Sequence, residues 1–587
     1  MRTVVKRGLT LQMLRRKTSM LAHGTASQKE QEPTREFAHL GAHGVFALIW
    51  DDLGLTELLN EHIPADEQVL LKPGIAMKAL VLNVLGGRTP LYHVEDWAET
   101  IPREILFPGE NLTPKQLNDT SLGRHLDRLF EANGESVFNA ACLRVIDTEK
   151  LDITELVSDT TSRIVFGEYL DEDAGAISIT RGHSKDKRGD LKQVMYGMST
   201  TRDGVPVAAQ LLSGNTSDKT WHGGVLDKIK KQLVVNKETP LHYVGDSALV
   251  TEKNFEIASA RNIDITSRLP RTLALADTVV LRAVYDDDVH LEPIGKFSDE
   301  SRATFYEGCV VRDCVLFGRN VQLGVFRSLK GNETTRKSVI ARRKKLLKQL
   351  NKELKILSKE KFSCAKDAKA RLDSFIEKHV VTTHAERLFT ISSQIISVDT
   401  EKKPRGRPSD TNVSSVVTHY TVSIEVTEND DALEEAIKKE SCFVLVHTGV
   451  EPVSAREMMK AYKGQIVVEK RFPFLKDPAW AEVFFVNSPR RVEALGYVLL
   501  LALLLWSVME RRVRKNLKAP GGKGFLEAGP RKIKKPTAAV CRRILNTLLM
   551  TRERKGMHVT DWEWASTISA AQNHLGELCL PIFENSG

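Results

Sequence analysis

Apolar residues recur at three- and four-residue spacing through the first quarter of the chain, in segments such as GVFALIWDDLGLTELLNEHI and PGIAMKALVLNVLGG. This period is typical of amphipathic helices. Residues 118–146 predict two helices joined at Asn133 and Gly134, with the first capped near Asp119 or Thr120. Such a helix pair can dock on DNA or serve only for packing, and the pattern leaves both interpretations open.

The period changes after Leu151, where short β-rich runs separated by turn residues appear. ITELVSD, SRIVFGEY, KQVMYGMST and PVAAQLL predict a meander of three or more strands. LHYVG predicts a further buried strand ending at Asp246, followed by a helix in TEKNFEIASARN and a short strand in DITSRL. Strands that alternate with helices indicate an α/β core.

A third pattern, first β-like and then helical and basic, fills residues 271–453. Residues 336–362 hold eleven Lys or Arg against two acids, with Leu347, Leu350, Leu354 and Leu357 in one seam. That seam predicts a short coiled coil or a helical hairpin. Its charged face is equally compatible with a solvated helix and with a helix that lies against phosphates.

A polar linker, TEKKPRGRPSDT, follows at residues 400–411. Its PRGRP core resembles an AT-hook, in which Arg405 and Arg407 would enter a narrow minor groove. Narrow minor grooves concentrate negative potential and therefore attract arginine. A plain basic linker is the alternative.

Residues 494–509 (ALGYVLLLALLLWSVM) are the most apolar stretch of the chain. This stretch has 16 residues, fewer than the roughly 20 that a membrane-spanning helix needs. We therefore predict a helix buried in a large α/β core and no association with a membrane.

Charge and cysteine content narrow the setting. The 587 residues carry a net charge of +9, which suits a polyanionic partner but is weak evidence alone. Seven scattered cysteines, with no secretory signal ahead of them, indicate a reducing cytoplasm. Cys309 and Cys314 lack a second ligand pair at zinc-finger spacing and are interpreted as ordinary thiols.

Three acidic residues stand where catalytic chemistry is expected. Asp159 follows the apolar run ITELV and Asp246 follows HYVG, so both are predicted near strand ends that converge on one site. A helix is predicted to begin near Ser454. Its residues Tyr462, Gln465 and Glu469 are three and four positions apart, and Phe472 and Lys476 extend that row, so one helical face is expected to present them.

This last segment resembles the Tyr-x2-Arg-x3-Glu-x6-Lys signature of DDE-type insertion-sequence transposases, which have a ribonuclease H-like core. Tyr462, Glu469 and Lys476 fall at the family spacing, whereas Gln465 occupies the Arg position. SDTTS, GHSKDKRGDLKQVMYGM, DGVPVAAQLLSGNTSDKT and VGDSALV agree in order with the branch that has a long insertion between the second Asp and the Glu. Here 222 residues separate Asp246 from Glu469, and the resemblance covers roughly residues 41–515.

The resemblance implies an enzyme that binds terminal inverted repeats, cuts DNA and joins the ends to target DNA as a dimer or a larger assembly. It implies Asp159, Asp246 and Glu469 as ligands of two Mg²⁺ ions, with Mn²⁺ as a substitute and Asp159 as the bridge. Opening a phosphodiester requires neutralisation of charge on both the attacking and the leaving oxygens, and Mg²⁺ prefers oxygen ligands.

The same resemblance assigns DNA contacts to Tyr462 and Lys476, and to Lys185 and Arg188 in the block that also holds His183 and Lys187. His183 is interpreted as a turn hydrogen-bonder rather than a metal ligand, and Trp221 and His222 as loop anchors rather than a base-stacking pair. Gln465 removes a cationic phosphate contact, for which Lys463, Lys470 and Arg471 would compensate. The alternatives are a decayed DNA-binding copy and a metal-dependent nuclease without strand transfer.

The predicted fold class is α/β: a ribonuclease H-like mixed sheet flanked by helices, interrupted by a largely β plus helical insertion and preceded by a helical domain. The predicted parts are a basic flexible arm (1–40), a helical DNA-binding or assembly domain (41–150), the first part of the core (151–270), the insertion with its basic helix and PRGRP linker (271–453), the second part of the core with the Glu helix (454–516) and a basic tail (517–587). A cytoplasmic, nucleoid-associated protein is expected.

Overall fold

The computed structural model describes residues 34–579, with gaps at residues 88, 168, 170–172, 186–187, 236–237, 286–288, 298–303, 384, 386–387, 403–414, 478–487, 556–557 and 566. Helices and strands both contribute extensively, so the chain is a mixed α/β protein.

The strands, numbered in chain order, are β1 (Thr34–His39), β2 (Glu155–Ile164), β3 (Gln193–Thr200), β4 (Pro206–Ser213), β5 (Leu241–Gly245), β6 (Ile263–Arg268), β7 (Glu292–Gly295), β8 (Tyr306–Leu316), β9 (Arg319–Ser328), β10 (Phe389–Lys402), β11 (Ser415–Glu428), β12 (Cys442–His447), β13 (Leu526–Ala528), β14 (Arg531–Ile533), β15 (Leu549–Lys555), β16 (His558–Val559) and β17 (Glu563–Trp564).

The α-helices are α1 (His43–Asp52), α2 (Leu55–His62), α3 (Pro73–Leu82), α4 (Val94–Glu99), α5 (Arg103–Leu106), α6 (Asp119–Glu131), α7 (Gly134–Glu149), α8 (Asp218–Gln232), α9 (Glu252–Ala260), α10 (Ala274–Tyr285), α11 (Leu329–Leu357), α12 (Ala365–Ile376), α13 (Asp430–Ser441), α14 (Ala455–Lys463), α15 (Ile466–Glu469), α16 (Phe472–Leu475), α17 (Pro489–Lys518), α18 (Ala538–Leu545) and α19 (Ala570–Leu578).

The chain divides into two compact units. Unit 1 comprises residues 1–265 and 464–587, and unit 2 comprises residues 266–463. Unit 1 is therefore discontinuous in sequence, with unit 2 placed between its two parts along the chain.

The sheet of unit 1 has the strand order β4-β3-β2-β5-β6. The pairs β2–β3 and β3–β4 are antiparallel, whereas β2 and β5 are parallel. The runs ITELVSD and SRIVFGEY, predicted as separate strands, contribute to the single ten-residue strand β2, which is buried along most of its length. Its burial extends to polar residues such as Ser158, Thr160 and Ser162, so both faces of this strand are covered.

Helix α17 is the central helix of unit 1. It has 30 residues and is long and apolar enough to cross a membrane by length and composition, but 89% of its apolar window is buried. It packs against α1, α3, α6, α7 and β4. The predicted core helix is thus present, and it extends well beyond residues 494–509.

The N-terminal helices agree with the periodic pattern, and α6 and α7 meet at Asn133 as predicted. The cap of α6 is Asn118, whose side chain accepts a hydrogen bond from the Ser121 backbone N–H, rather than Asp119 or Thr120. Residues 34–39, assigned from sequence to a flexible arm, form β1, which pairs with β15. Residues assigned to a basic tail form α18, α19 and β13–β17.

Unit 2 contains the strand order β12-β9-β8-β7, and the end of β6 pairs with β12. A long antiparallel hairpin of β10 and β11 packs on α11 and α12. The predicted leucine seam is a packing face: Leu350 and Leu357 are buried, and Leu347 and Leu354 pack beside them. The seam is satisfied within unit 2 by α13 and the hairpin.

Candidate active site

Asp159 lies in the middle of β2, opposite Met198 of β3, and not at a strand end as the sequence suggested. Its side chain is 14% exposed, and it accepts a hydrogen bond from the Thr160 backbone N–H. Burial raises the pKa of Asp159 to about 6, although the nearby Lys185 opposes this effect. A buried carboxyl with a raised pKa and an open side is typical of a functional position.

Asp246 follows β5 directly, as predicted, and caps a short turn through the Ala248 backbone N–H. The parallel register pairs Val157 of β2 with Val244 of β5, so Asp159 and Asp246 occupy equivalent positions two residues further on. The two carboxylates also interact electrostatically, because the charge of Asp246 contributes to the raised pKa of Asp159.

The two carboxylates differ in their surroundings. Burial alone would raise the pKa of Asp246, but a hydrogen bond from His222 and the charges of His222 and Lys185 lower it below its ordinary value. The site therefore contains one carboxyl that burial disfavours as an anion and one that is held ionised. Neighbouring carboxyls pushed apart in this way commonly take different roles in a reaction.

Lys185 is the cation of the site. Its Nζ lies 3.4 Å from a carboxylate oxygen of Asp159 and 3.4 Å from one of Asp218, the first residue of α8. It also donates to the Thr160 carbonyl oxygen at 2.6 Å. Lys185 thus partly balances two carboxylates, and Asp218 is a site residue that sequence reasoning missed, although the GNTSDKT block contains it.

The buried His222 forms a hydrogen bond with Asp246. Its Nε2 lies 3.2 Å from Asp246 Oδ1, and its Nδ1 lies 3.0 Å from the Tyr243 hydroxyl. The His222 side chain is 1% exposed. Burial raises the pKa of Tyr243, and the hydroxyls of Ser158 and Ser199, which lie 2.6 Å apart, oppose this rise. Hydrogen bonds thus connect Asp246 through His222 to the buried Tyr243 hydroxyl.

Trp221 and His222, interpreted from sequence as loop anchors, lie instead on α8, where both are buried. The contact of His222 with Asp246 had no signal in the sequence, because it depends on how α8 docks on the sheet. His183 is exposed, and its carbonyl oxygen accepts a hydrogen bond from the Gln193 amide.

Glu469 ends α15, a helix of four residues that packs against β2 and β3 in unit 1. Its side chain is exposed. Asp159 has Lys185 and Asp246 as the nearby charges that act most on it, and Glu469 is not one of these. Within the described residues the structure thus brings Asp159, Asp246 and Lys185 together, but it shows no contact that joins Glu469 to them.

The single helix predicted from Ser454 onward is instead three short helices. Helix α14 ends at Lys463, and α15 and α16 follow as separate turns. The expected shared face of five residues is therefore wrong, since helical spacing holds only within one uninterrupted helix. Gly464 and Pro473, which interrupt helices, account for the breaks.

The other residues of this segment have distinct surroundings. Tyr462 belongs to unit 2, where it packs in the cluster around Phe326 and Met458. Gln465 is buried. Lys476 belongs to unit 1, is half-buried, and its backbone N–H donates to the Phe472 carbonyl oxygen.

The remaining basic residues predicted to contact DNA have separate positions. Arg188 is exposed and forms a bidentate ion pair with Asp190. Arg405 and Arg407, like Lys187, fall outside the described residues.

The donor set suits a hard divalent cation only in part. Asp159 and Asp246 offer carboxylate oxygens on adjacent strands, the ligand type that Mg²⁺ prefers, and His222 fixes the second carboxylate as outer partners of metal ligands do. Within the described residues, no group of three His, Cys, Asp or Glu side chains is arranged to hold a metal ion. Two of the three expected ligands therefore fit together in this conformation.

Residues 35–143, which include α1 to α6 and most of α7, match a family described as a domain of unknown function, DUF4277. This domain occurs in transposase-like families. The match lies outside the strands that carry Asp159 and Asp246. No curated protein matches the chain in sequence.

Proposed function

We propose that this protein is a DDE-type transposase with a ribonuclease H-like core, which cleaves the ends of an insertion sequence and joins them to target DNA. The observation that carries the proposal is the pairing of Asp159 and Asp246 on adjacent parallel strands, beside a lysine and in front of a buried histidine. The match of residues 35–143 to a domain that occurs in transposase-like families supports the same class.

The chain's own residues supply most of what phosphodiester chemistry requires. Asp159 and Asp246 would hold the metal ions, and Glu469 is proposed as the third ligand. Lys185 presents an ammonium group beside Asp159, where a phosphate of the DNA backbone would be held. When bound, two Mg²⁺ ions, or Mn²⁺ in their place, neutralise charge on the attacking and leaving oxygens and activate the nucleophile.

Glu469 requires a rearrangement for this role. It lies on a four-residue helix flanked by Gly464 and Pro473, and its carboxylate faces solvent. Such a short segment can re-form on DNA binding at modest energetic cost, because it has few intrahelical hydrogen bonds to lose. We propose that the three-carboxylate set is completed only in the DNA complex, with Tyr462, Lys476 and Arg188 contacting its phosphates.

Double-stranded DNA, as transposon ends and target, is the proposed partner, and Arg405 and Arg407 are proposed as minor-groove contacts of the linker. A homodimer or a larger synaptic assembly is proposed because two ends must be cut and joined together. The proposed location is the cytoplasm, at the nucleoid.

A catalytically decayed DNA-binding protein is the second candidate. The motivating observation is the buried Gln465 at the position of the family arginine, since a neutral amide cannot make a bidentate phosphate contact. The two candidates share their DNA-binding prediction and differ only in chemistry.

Incubation of the full chain with labelled DNA from both element ends, a target plasmid and Mg²⁺ separates these possibilities. Cleaved and joined products support the transposase. Cleavage without joining indicates a nuclease, and a stable complex without cleavage indicates a decayed copy; either result overturns the proposal.

A further inference from the structure

The long basic helix α11 has two charged sides, of which one forms ion pairs within unit 2 and the other faces solvent. On its flank toward α13 and β11, the arginines are paired: Arg336 with Glu434 at 2.6 Å, Arg342 with Glu440 at 2.5 Å, and Arg343 with Asp430 at 2.8 Å. These pairs hold the helix in unit 2. The basic character of this flank is thus neutralised by the fold itself.

The opposite side carries what we call the lysine face, formed by Lys337, Lys344, Lys348, Lys352 and Lys355. These residues are seven, four, four and three positions apart, so they lie along one side of the helix. All five are exposed. The buried residues of the same helix are Val339, Leu350 and Leu357, whose helical positions place them on the other side.

From Lys344 to Lys355, no carboxylate of α11 lies beside this row; Glu333, four residues before Lys337 and on the same side of the helix, is the acid at its N-terminal end. Within the described part of the chain, none of the five lysines forms an ion pair. From Lys337 to the end of α11 at Leu357, the one acidic residue of the helix is Glu353, which is half-buried, and its helical position is nearly opposite the row. Like charges at three- and four-residue spacing destabilise a helix. From Lys344 to Lys355 the row is therefore an unrelieved repulsion in the free protein.

A polyanion would relieve that repulsion, and the dimensions indicate which kind. At 1.5 Å of rise per residue, the row from Lys337 to Lys355 extends about 27 Å. That length corresponds to roughly eight base pairs of a DNA duplex, whose backbone presents phosphates at regular intervals. A straight row of cations of this length can reach several phosphates on the two backbones that border a groove of the duplex.

We propose that the lysine face binds the phosphate backbone of double-stranded DNA without sequence preference. Phosphate contacts of this kind position a protein on a duplex but do not select a sequence. The choice of DNA as partner rests on the proposed function, whereas the existence of the binding surface does not require catalysis.

The test uses the full chain and a fluorescent duplex of arbitrary sequence, about 30 base pairs long, in EDTA over a range of salt concentrations. The variant is Lys344→Ala, Lys348→Ala and Lys355→Ala combined, in which alanine favours the helix. Its charge-matched control is Lys366→Ala, Lys369→Ala and Lys378→Ala, three exposed lysines of unit 2 outside α11. Thermal unfolding of both variants is recorded alongside.

For the wild type, the logarithm of the binding constant is expected to fall linearly with the logarithm of salt concentration. In the lysine-face variant this negative slope should become shallower, by about 0.9 for each lysine removed and about 2.7 in total. The control should keep the wild-type slope. A variant with arginine in place of the same three lysines should keep the wild-type slope, since either cation neutralises a phosphate.

An unchanged slope in the lysine-face variant, or an equal change in the control, would overturn the inference. Polyglutamate, a flexible polyanion, serves as a second probe. A lysine-face variant that loses binding to polyglutamate but keeps wild-type binding to the duplex would also overturn the inference. EDTA removes divalent ions, so binding is measured without cleavage. A wild type that binds through this face but never cleaves end DNA with Mg²⁺ would support the inference and overturn the proposed function. An enzyme that cleaves end DNA, but whose lysine-face variant has an unchanged slope, would support the proposed function and overturn the inference.

Discussion

At the scale of single residues, the candidate site is organised around two carboxyls with opposed pKa shifts. Burial raises the pKa of Asp159 to about 6, while His222 and Lys185 lower that of Asp246. The two Asp residues could be singled out from sequence because each follows a buried apolar run. His222 could not be assigned its role, because it lies 24 residues before Asp246 and reaches it only through tertiary packing.

His222 is predicted to be a positioning residue for Asp246. His222→Ala should weaken Mn²⁺ binding about 10- to 100-fold, as loss of an outer partner of a metal ligand usually does. His222→Asn, whose amide can still donate toward Asp246, should recover part of that loss. Mn²⁺ titration followed by electron paramagnetic resonance measures both.

Wild-type Mn²⁺ affinity in a folded His222→Ala protein would show that the contact does not position the ligand. Asp190→Asn, which alters an exposed acid paired with Arg188, is the control for loss of a carboxylate and should bind Mn²⁺ as the wild type does.

Glu155, at the start of β2, provides a pH-dependent prediction. Burial alone would raise its pKa, but hydrogen bonds from His242 and Arg202 bring it to about 2, from an ordinary value of 4.5. A lowered pKa stabilises the fold above pH 4.5, and this contribution is lost as the pH falls from 4.5 toward 2. The advantage of wild type over Glu155→Gln should be about 1–3 kcal/mol near neutral pH and shrink with acid.

Thermal unfolding of both proteins between neutral and acidic pH measures this difference. A gap that widens as the pH falls would contradict the assigned cause.

At the scale of elements, the position of α8 determines the site, because this helix carries Asp218, Trp221 and His222. A Cβ at Gly197 of β3 would come within 2.0 Å of the Trp221 ring. The sequence indicated a Gly in this strand but not its purpose, since a close approach becomes visible only once the helix is docked. In the segment that carries Glu469, by contrast, the sequence does contain signals for helix breaks at Gly464 and Pro473. The three- and four-residue spacing alone predicted one helix there, and that prediction is wrong.

Gly197→Ala is predicted to displace α8 and to destabilise unit 1 by about 1–3 kcal/mol through overpacking. Gly224→Ala, on the same helix, is the matched control, because its Cβ would meet nothing within 4 Å. The control should be neutral or stabilising by up to about 1 kcal/mol, as expected for Gly to Ala in a helix. Differential scanning calorimetry and Mn²⁺ affinity report both effects.

Equal stability of the two alanine variants would show that Trp221 moves without cost. In that case the close packing of α8 on β3 would not fix the site.

At the scale of the whole molecule, the sequence pattern predicted helices, then a strand-rich core interrupted by a long segment, and finally a buried apolar helix. It could not predict the register that places Asp159 beside Asp246, because register depends on strands far apart in sequence. Nor did it predict that β1 pairs with β15, which joins residues 34–39, assigned to an arm, to a strand of the expected tail.

Long-range ion pairs also stabilise unit 1 as a whole. Glu149 of α7 pairs with Arg511 at 2.8 Å and Arg512 at 2.7 Å, and all three are buried. Glu149→Ala would leave two buried guanidinium groups without this partner and is predicted to cost about 3–5 kcal/mol. Calorimetry should show a lower unfolding temperature, and Glu149→Gln should fall between the alanine variant and wild type. An unfolding temperature within error of wild type would refute the importance of these ion pairs.

Cleavage and joining of labelled transposon-end DNA with Mg²⁺ should be compared between wild type, Asp159→Asn and Asp246→Asn, with Glu256→Gln, which alters an exposed acid of α9, as the control. Wild type and the control should cleave and join the DNA, whereas each site variant should bind it without cleaving. Cleavage by either site variant at the wild-type rate would contradict the assignment of Asp159 and Asp246 as the catalytic pair.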